Sequence, residues 1–74
     1  MTVTMLPPGV PARVTLIHGG RGLRNRLASM GIRPGESLTV VSGRPGGPFV
    51  VEVGAGRFIL GRGMAHKVMV RREG

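Results

Sequence analysis

Residues 21–35 read RGLRNRLASMGIRPG, and the way this stretch folds decides the architecture of the whole chain. Leu23, Leu27 and Met30 recur at i, i+4 and i+7, a spacing that stacks three apolar side chains on one face of a helix. On the same wheel Arg24 flanks the stripe on one side and Arg26 on the other, while Arg21, Asn25 and Ala28 point away. The C-terminal end carries its own signal. Gly31 placed just past the helix in the left-handed conformation makes Ile32 the next residue and Leu27 the third in from the cap. A Schellman ending brings those two positions into apolar contact, and Pro34 prevents the helix from resuming. The stretch therefore predicts a short amphipathic helix over about residues 21–30, a glycine stop, and a turn that launches a strand.

The strands lie on both sides of this helix. Leu6-Pro7-Pro8-Gly9-Val10-Pro11 is an entry turn closed to helix. From Ala12 the pattern alternates, with Ala12, Val14 and Leu16 on one side and Arg13, Thr15 and Ile17 on the other, which predicts a half-buried strand to about His18. Gly19, Gly20 and Gly22 lead into the helix without the usual Ser, Thr or Asp cap. No Gly-Lys-Ser/Thr follows them, which excludes a nucleotide P-loop. After the turn at residues 33–36 come a strand over 37–42 with Leu38 and Val40 on one face, a Gly/Pro-rich hairpin connection, and a strand in which Phe49, Val51 and Val53 alternate with Val50 and Glu52. Pro45-Gly46 suits the central pair of a type II turn. Residues 57–60 form a fourth strand with Phe58 and Leu60 inward. Residues 61–66 are a short turn or 3₁₀ segment plugged by Met64 and Ala65, and 67–71 are the closing strand. Five short strands with tight turns predict a small closed barrel, since closure removes exposed edges.

Composition sets the outer bounds. Seventy-four residues make one domain, near the lower limit for a self-supporting core, and with no cysteine neither a disulfide nor a Cys-ligated zinc can contribute. The segment MTVTMLPPGV has no basic start and its apolar run is cut by Pro7 and Pro8. It reads as neither a signal peptide nor a membrane span, and the expected location is the cytoplasm. Ten arginines and one lysine against three glutamates give a formal charge of +8, which draws the chain towards anionic partners or surfaces. With two phenylalanines and no Trp or Tyr, the stacking platforms of single-strand binders are nearly missing.

The order of these motifs resembles the FeoA family. The matching pieces are Leu6-Pro7-Pro8-Gly9, then Gly19-Gly20 leading to Leu23-Arg24-Asn25-Arg26-Leu27, then Met30-Gly31-Ile32-Arg33-Pro34-Gly35. They continue with Gly47-Pro48 at the end of the hairpin and with Ile59-Leu60-Gly61 and Met64-Ala65 before the last strand. The resemblance implies a mainly β fold, an SH3-like five-stranded barrel with one short helix between strands 1 and 2. It further implies an accessory role in bacterial ferrous iron uptake, with the FeoB transporter and its cytosolic GTPase domain as partner. The same fold occurs as the C-terminal domain of DtxR-like metal-dependent repressors, so a regulatory module is an alternative, as is a small nucleic-acid-binding barrel on charge alone.

Chemistry is sparse. Glu36, Glu52 and Glu73 are too few and scattered for an acid/base pair, and no Ser/His/Asp or Cys/His arrangement is available. His18 and His66 have no acidic residues clustered with them, so no metal site within the chain, no cofactor and no small-molecule substrate is expected. Arg24 and Arg26 beside the apolar stripe, Leu27 within it and Arg44 at the hairpin tip are the expected partner-binding residues. Arginine offers a planar, always-charged fork for carboxylate or phosphate.

Overall fold

A computed structural model describes residues 1–44 and 46–73. A 3₁₀ turn, Val3–Met5, precedes strand β1, Pro11–Ile17, and helix α1, Arg21–Ala28. Strands β2, Ser37–Gly43, β3, Phe49–Val53, and β4, Gly56–Leu60, follow in succession. A four-residue helix α2, Arg62–Ala65, then leads to β5, Val68–Arg72. The strands form one antiparallel sheet in the order β4-β3-β2-β1-β5. This is the mainly β architecture with a helix between the first two strands that the sequence predicts.

The expected closure is not made by strand pairing. β4 and β5 end the sheet on opposite sides and do not bond to each other. Other elements occupy that gap: α2 packs against β4 and against the Val3–Met5 turn, which in turn packs on β5. The outer edge of β5 is taken up by the N-terminus. Val70 N–H donates to Met1 O at 2.7 Å, the Met1 ammonium donates to Val70 O, and Thr2 forms an isolated bridge with Met69. Covering an edge with a non-strand segment is one of the ways a sheet is protected from pairing with another chain. Residues 1–5, Met-Thr-Val-Thr-Met, do alternate apolar and polar, but Pro7 and Pro8 cut the run short and the pattern alone does not say which edge it covers; Val3 is completely buried.

Helix α1 stops at Ala28, two residues short of the expected end, because its last turn tightens. Met30 N–H reaches back to Leu27 O at 3.0 Å, Gly31 N–H to Ala28 O at 2.9 Å, and Ile32 N–H to Leu27 O at 3.0 Å. The last two bonds are the paired 5→2 and 6→1 contacts of a Schellman ending. Gly31 has φ of 85°, the left-handed value that ending requires, and Leu27 and Ile32 are both fully buried in the core. At the other end Gly20 is the N-cap and supplies no side-chain hydrogen bond. Leu23 and Met30 lie half-buried against the core beside Leu27.

The core is aliphatic. Ala12, Val14 and Ile17 of β1, Leu38 and Val40 of β2, Phe49 and Val51 of β3, Leu60, Ala65, Val68 and Val70 all fall below a tenth exposed. No buried polar or charged residue interrupts it among the described residues. One β1 assignment needs correction. Alternation from Ala12 places Leu16 with Val14, yet Ile17 is buried and Leu16 is 45% exposed. The reason is a β-bulge: Val14 pairs with Val70 but Leu16 pairs with Met69, so Thr15 is the extra residue and the strand's parity flips. A second irregularity, between Val40 and Ser42, leaves Val41 extra in β2. Pro45, the first central residue of the expected type II turn, lies outside the described residues. Its neighbour Gly46 has φ of 81°, and Gly47 N–H donates to Arg44 O at 3.0 Å.

Candidate functional site

The β1 bulge and the exposed side of α1 together frame a cleft of about 240 Å³. Ile17 and Ile32, both buried, and the half-buried Ala28 line its interior; Leu16 stands at its mouth on the strand side. Arg24 and Asn25 of α1 and Arg33 and Pro34 of the turn after the helix, all exposed, form its rim. The local sequence explains the shape. Gly31 ends the helix and turns the chain so that Ile32 enters the core while Arg33 stays exposed. Pro34 sits in the tight turn closed by Glu36 N–H donating to Arg33 O at 3.0 Å, with Gly35 at φ of 96°.

The rim is electropositive and unneutralised. The ion pairs among the described residues are Arg13 with the half-buried Glu73 at 3.7 Å and Arg57 with Glu52, both exposed, at 2.9 Å. Glu73 also accepts a hydrogen bond from the Ser37 hydroxyl, and Arg13 donates to Gly35 O at 2.7 Å. Neither Arg24 nor Arg33 makes a side-chain hydrogen bond or ion pair among the described residues, and no acidic residue lines the cleft.

The expected partner-binding residues are thus only partly brought together. Arg24 is on the cleft rim. Arg26, exposed on α1, and Arg44, exposed at the base of the β2–β3 connection, do not line it. Leu27 is withdrawn from the set: it is 0% exposed, and a side chain with no accessible surface contacts the core and not a partner. Two contributors went unnoticed in the sequence, Leu16 and Arg33. The adjacent apolar pair Leu16-Ile17 was the available signal, because strict alternation cannot bury both on one face.

A second, shallower recess of about 250 Å³ is lined by Thr4, Gly46, Phe49, Arg62 and His66. His18 and His66 are both exposed, and among the described residues no three His, Asp or Glu side chains converge as a metal site would need. No helix among the described residues is long and apolar enough to cross a membrane.

A single curled antiparallel sheet of five strands, with one helix between the first two, places the molecule among small SH3-like domains. The FeoA domain family matches residues 1–72, and the chain belongs to that family. It is 39% identical over 57 residues to a protein of Methanocaldococcus jannaschii named as an Fe(2+) transport protein A, a match covering 77% of this chain and 68% of that protein. Among solved structures it superposes on an iron uptake regulatory protein (FeoA) with a TM-score of 0.93 at 38% identity, covering 99% of this chain and 97% of the other. The zinc complex of Stenotrophomonas maltophilia FeoA gives a TM-score of 0.82 at 33% identity over 96% of this chain and 89% of that one. That protein is described as a prokaryotic SH3 domain protein and is suggested to act as an activating factor for ferrous iron transport. The iron(II) transport protein A of Clostridium thermocellum gives 0.89 at 33% identity, over 97% of this chain and 45% of that chain. The family associates this chain with ferrous iron transport.

Proposed function

We propose that the protein is a non-catalytic accessory of ferrous iron uptake that docks on the cytosolic part of the FeoB transporter. The observation that carries this reading is the family match across residues 1–72, joined to a surface fit for protein contact. The exposed side of α1 presents Arg24 and Arg26 to solvent beside an open apolar cleft. Apolar area supplies affinity and fixed guanidinium groups supply orientation, a division of labour common at protein interfaces. Arg44, at the hairpin, belongs to the same basic exterior and is a second contact point in this reading.

The test is co-purification of the chain with the cytosolic domain of the transporter, free and nucleotide-loaded. Reversing both charges, Arg24→Glu with Arg26→Glu, is expected to abolish capture while leaving the fold intact, since both residues are exposed. A folded wild-type chain that is captured in no nucleotide state refutes the proposal.

Nucleic-acid binding rests on charge alone. Phe49 is 5% exposed and Phe58 is packed against the core, so neither ring is presented for base stacking.

A further inference from the structure

We propose that the cleft between the β1 bulge and α1 accepts one bulky aliphatic side chain of a peptide segment whose flanking residues are acidic. This rests on the reading of the chain as a docking domain and specifies what that dock recognises.

The size of the cleft argues for a side-chain anchor. At about 240 Å³ it is smaller than the roughly 300–1,000 Å³ typical of sites for small molecules and cofactors. Its interior offers Ile17, Ala28 and Ile32, with Leu16 at the mouth and no charged group on the floor. An aliphatic group set against Ile17, Ala28 and Ile32 would exchange water for hydrocarbon, whereas a polar group against those side chains would lose its water without a replacement.

The rim sets the chemistry of the flanks. Arg24, from α1, and Arg33, from the turn after it, both line the cleft, both exposed and both without a carboxylate partner among the described residues. Two of the chain's three glutamates are engaged elsewhere, Glu52 with Arg57 and Glu73 with Arg13. Helix α1 adds Arg21 and Arg26 and carries no acidic residue of its own. Residues flanking the anchor of a bound peptide meet these guanidinium groups, and Asp or Glu is the complement to such a fork. A basic or neutral flank would leave both arginines unmatched. A polynucleotide satisfies the charge but brings no aliphatic group to fill the interior.

Leu16 is the distinguishing element. Without the bulge at Thr15 it would point into the core, and the strand side of the cleft would lose its apolar lip. The placement is local to β1, so substituting Leu16 tests the cleft without removing a core residue.

The experiment is an NMR titration of the ¹⁵N-labelled full-length chain with four synthetic heptapeptides, capped at both ends. The first has a central Leu flanked by Glu and Asp; the others replace the Leu by Ser, the acids by Gln, or the acids by Lys. The acidic Leu peptide is expected to shift the amides of Leu16, Ala28 and Ile32, with binding that weakens as salt rises. The Ser-centred peptide, and the chain carrying Leu16→Ser, are expected to bind at least about tenfold more weakly. Arg33→Gln should narrow the difference between the acidic and Gln peptides. Equal binding by the Gln or Lys peptide, equal binding by the Ser peptide, or shifts confined to the hairpin and α2 would each overturn the inference. So would a single-stranded oligonucleotide that shifts the same amides as strongly.

Failure here is separable from failure of the transporter reading. Capture of the transporter's cytosolic domain by wild type and by Leu16→Ser alike, with no peptide binding, removes the cleft and keeps the docking. Peptide binding at the cleft without any capture does the reverse.

Discussion

Replacing Gly31 should damage this protein more than any other change to a surface turn, and the size of the effect follows from geometry. The residue sits at φ of 85°, where an L side chain costs about 1–2 kcal/mol relative to glycine. A Cβ there would also lie 3.3 Å from Val53 Cγ1, close enough that the neighbour must yield by a few tenths of an ångström. Gly31→Ala is therefore expected to lose about 1–2 kcal/mol and the β-branched Gly31→Val about 2–3 kcal/mol. For a domain of this size each kcal/mol lowers the melting temperature by roughly 4–8 °C. Gly31→Asn, which tolerates the left-handed region, should fall between wild type and alanine. Gly22 supplies the contrast within the same helix. A Cβ there meets nothing within 4 Å, and Gly22→Ala should stabilise by about 0.4–1 kcal/mol through reduced freedom of the unfolded chain. Urea unfolding followed by circular dichroism, with unchanged m-values, reads both signs in one series. A Gly31→Val protein that unfolds at the wild-type midpoint would show that Leu27 and Ile32 are not held by this cap.

Other substitutions separate core from exterior. Leu27→Ala, at a fully buried position, should cost about 2–5 kcal/mol in the same unfolding assay, against little effect from Arg26→Ala one residue earlier. Gly43 pairs with Phe49, and a Cβ there would lie 2.8 Å from ring atom Cε2, so Gly43→Ala should displace the ring and cost about 1–3 kcal/mol; an unchanged melting temperature would mean the ring moves freely. Glu52→Gln removes the ion pair with Arg57 across β3 and β4. Both partners are well exposed, and the loss should stay below about 1 kcal/mol at physiological salt.

The helix and its stop were the most legible part of the molecule because each rests on short-range rules that reinforce one another. The i, i+4, i+7 stripe fixes the face, the glycine fixes the end, and Leu27 and Ile32 then fall into the core together. The strands were legible to within a residue or two at their ends, since Gly/Pro turns bound them. Three things were not. The parity of β1 after Val14 depends on a bulge, and a bulge is set by how β1 and β5 must twist past each other rather than by either sequence alone. The mode of closure depends on where residues 1–5 land, and their short apolar-polar alternation does not say which edge they cover. The cleft joins Leu16 and Arg33, which come from a strand and from a turn beyond the helix, so only the folded chain places them together. The exposed position of Arg24 beside the cleft could be anticipated because it flanks the helical stripe; Arg44 does not line the cleft, and no local rule joins the two.

The bulge in β1 resolves a conflict that a domain of 74 residues meets early. Burying one aliphatic side chain contributes about 1.5–3 kcal/mol, a sizeable share of the net stability of a small fold. Exposing an apolar residue for recognition would ordinarily forfeit that amount. Here Thr15 shifts the register by one, Ile17 takes the interior position, and Leu16 reaches the surface while the core still receives an aliphatic group from the end of β1. The stripe on α1 could not have served the same purpose, because Leu27 is the helix's buried contact with the sheet and Leu23 and Met30 pack beside it. In the proposed docking surface the helix therefore contributes its arginines and the strand its leucine. Leu16 is thus an apolar member of that surface that can be substituted without removing a buried residue.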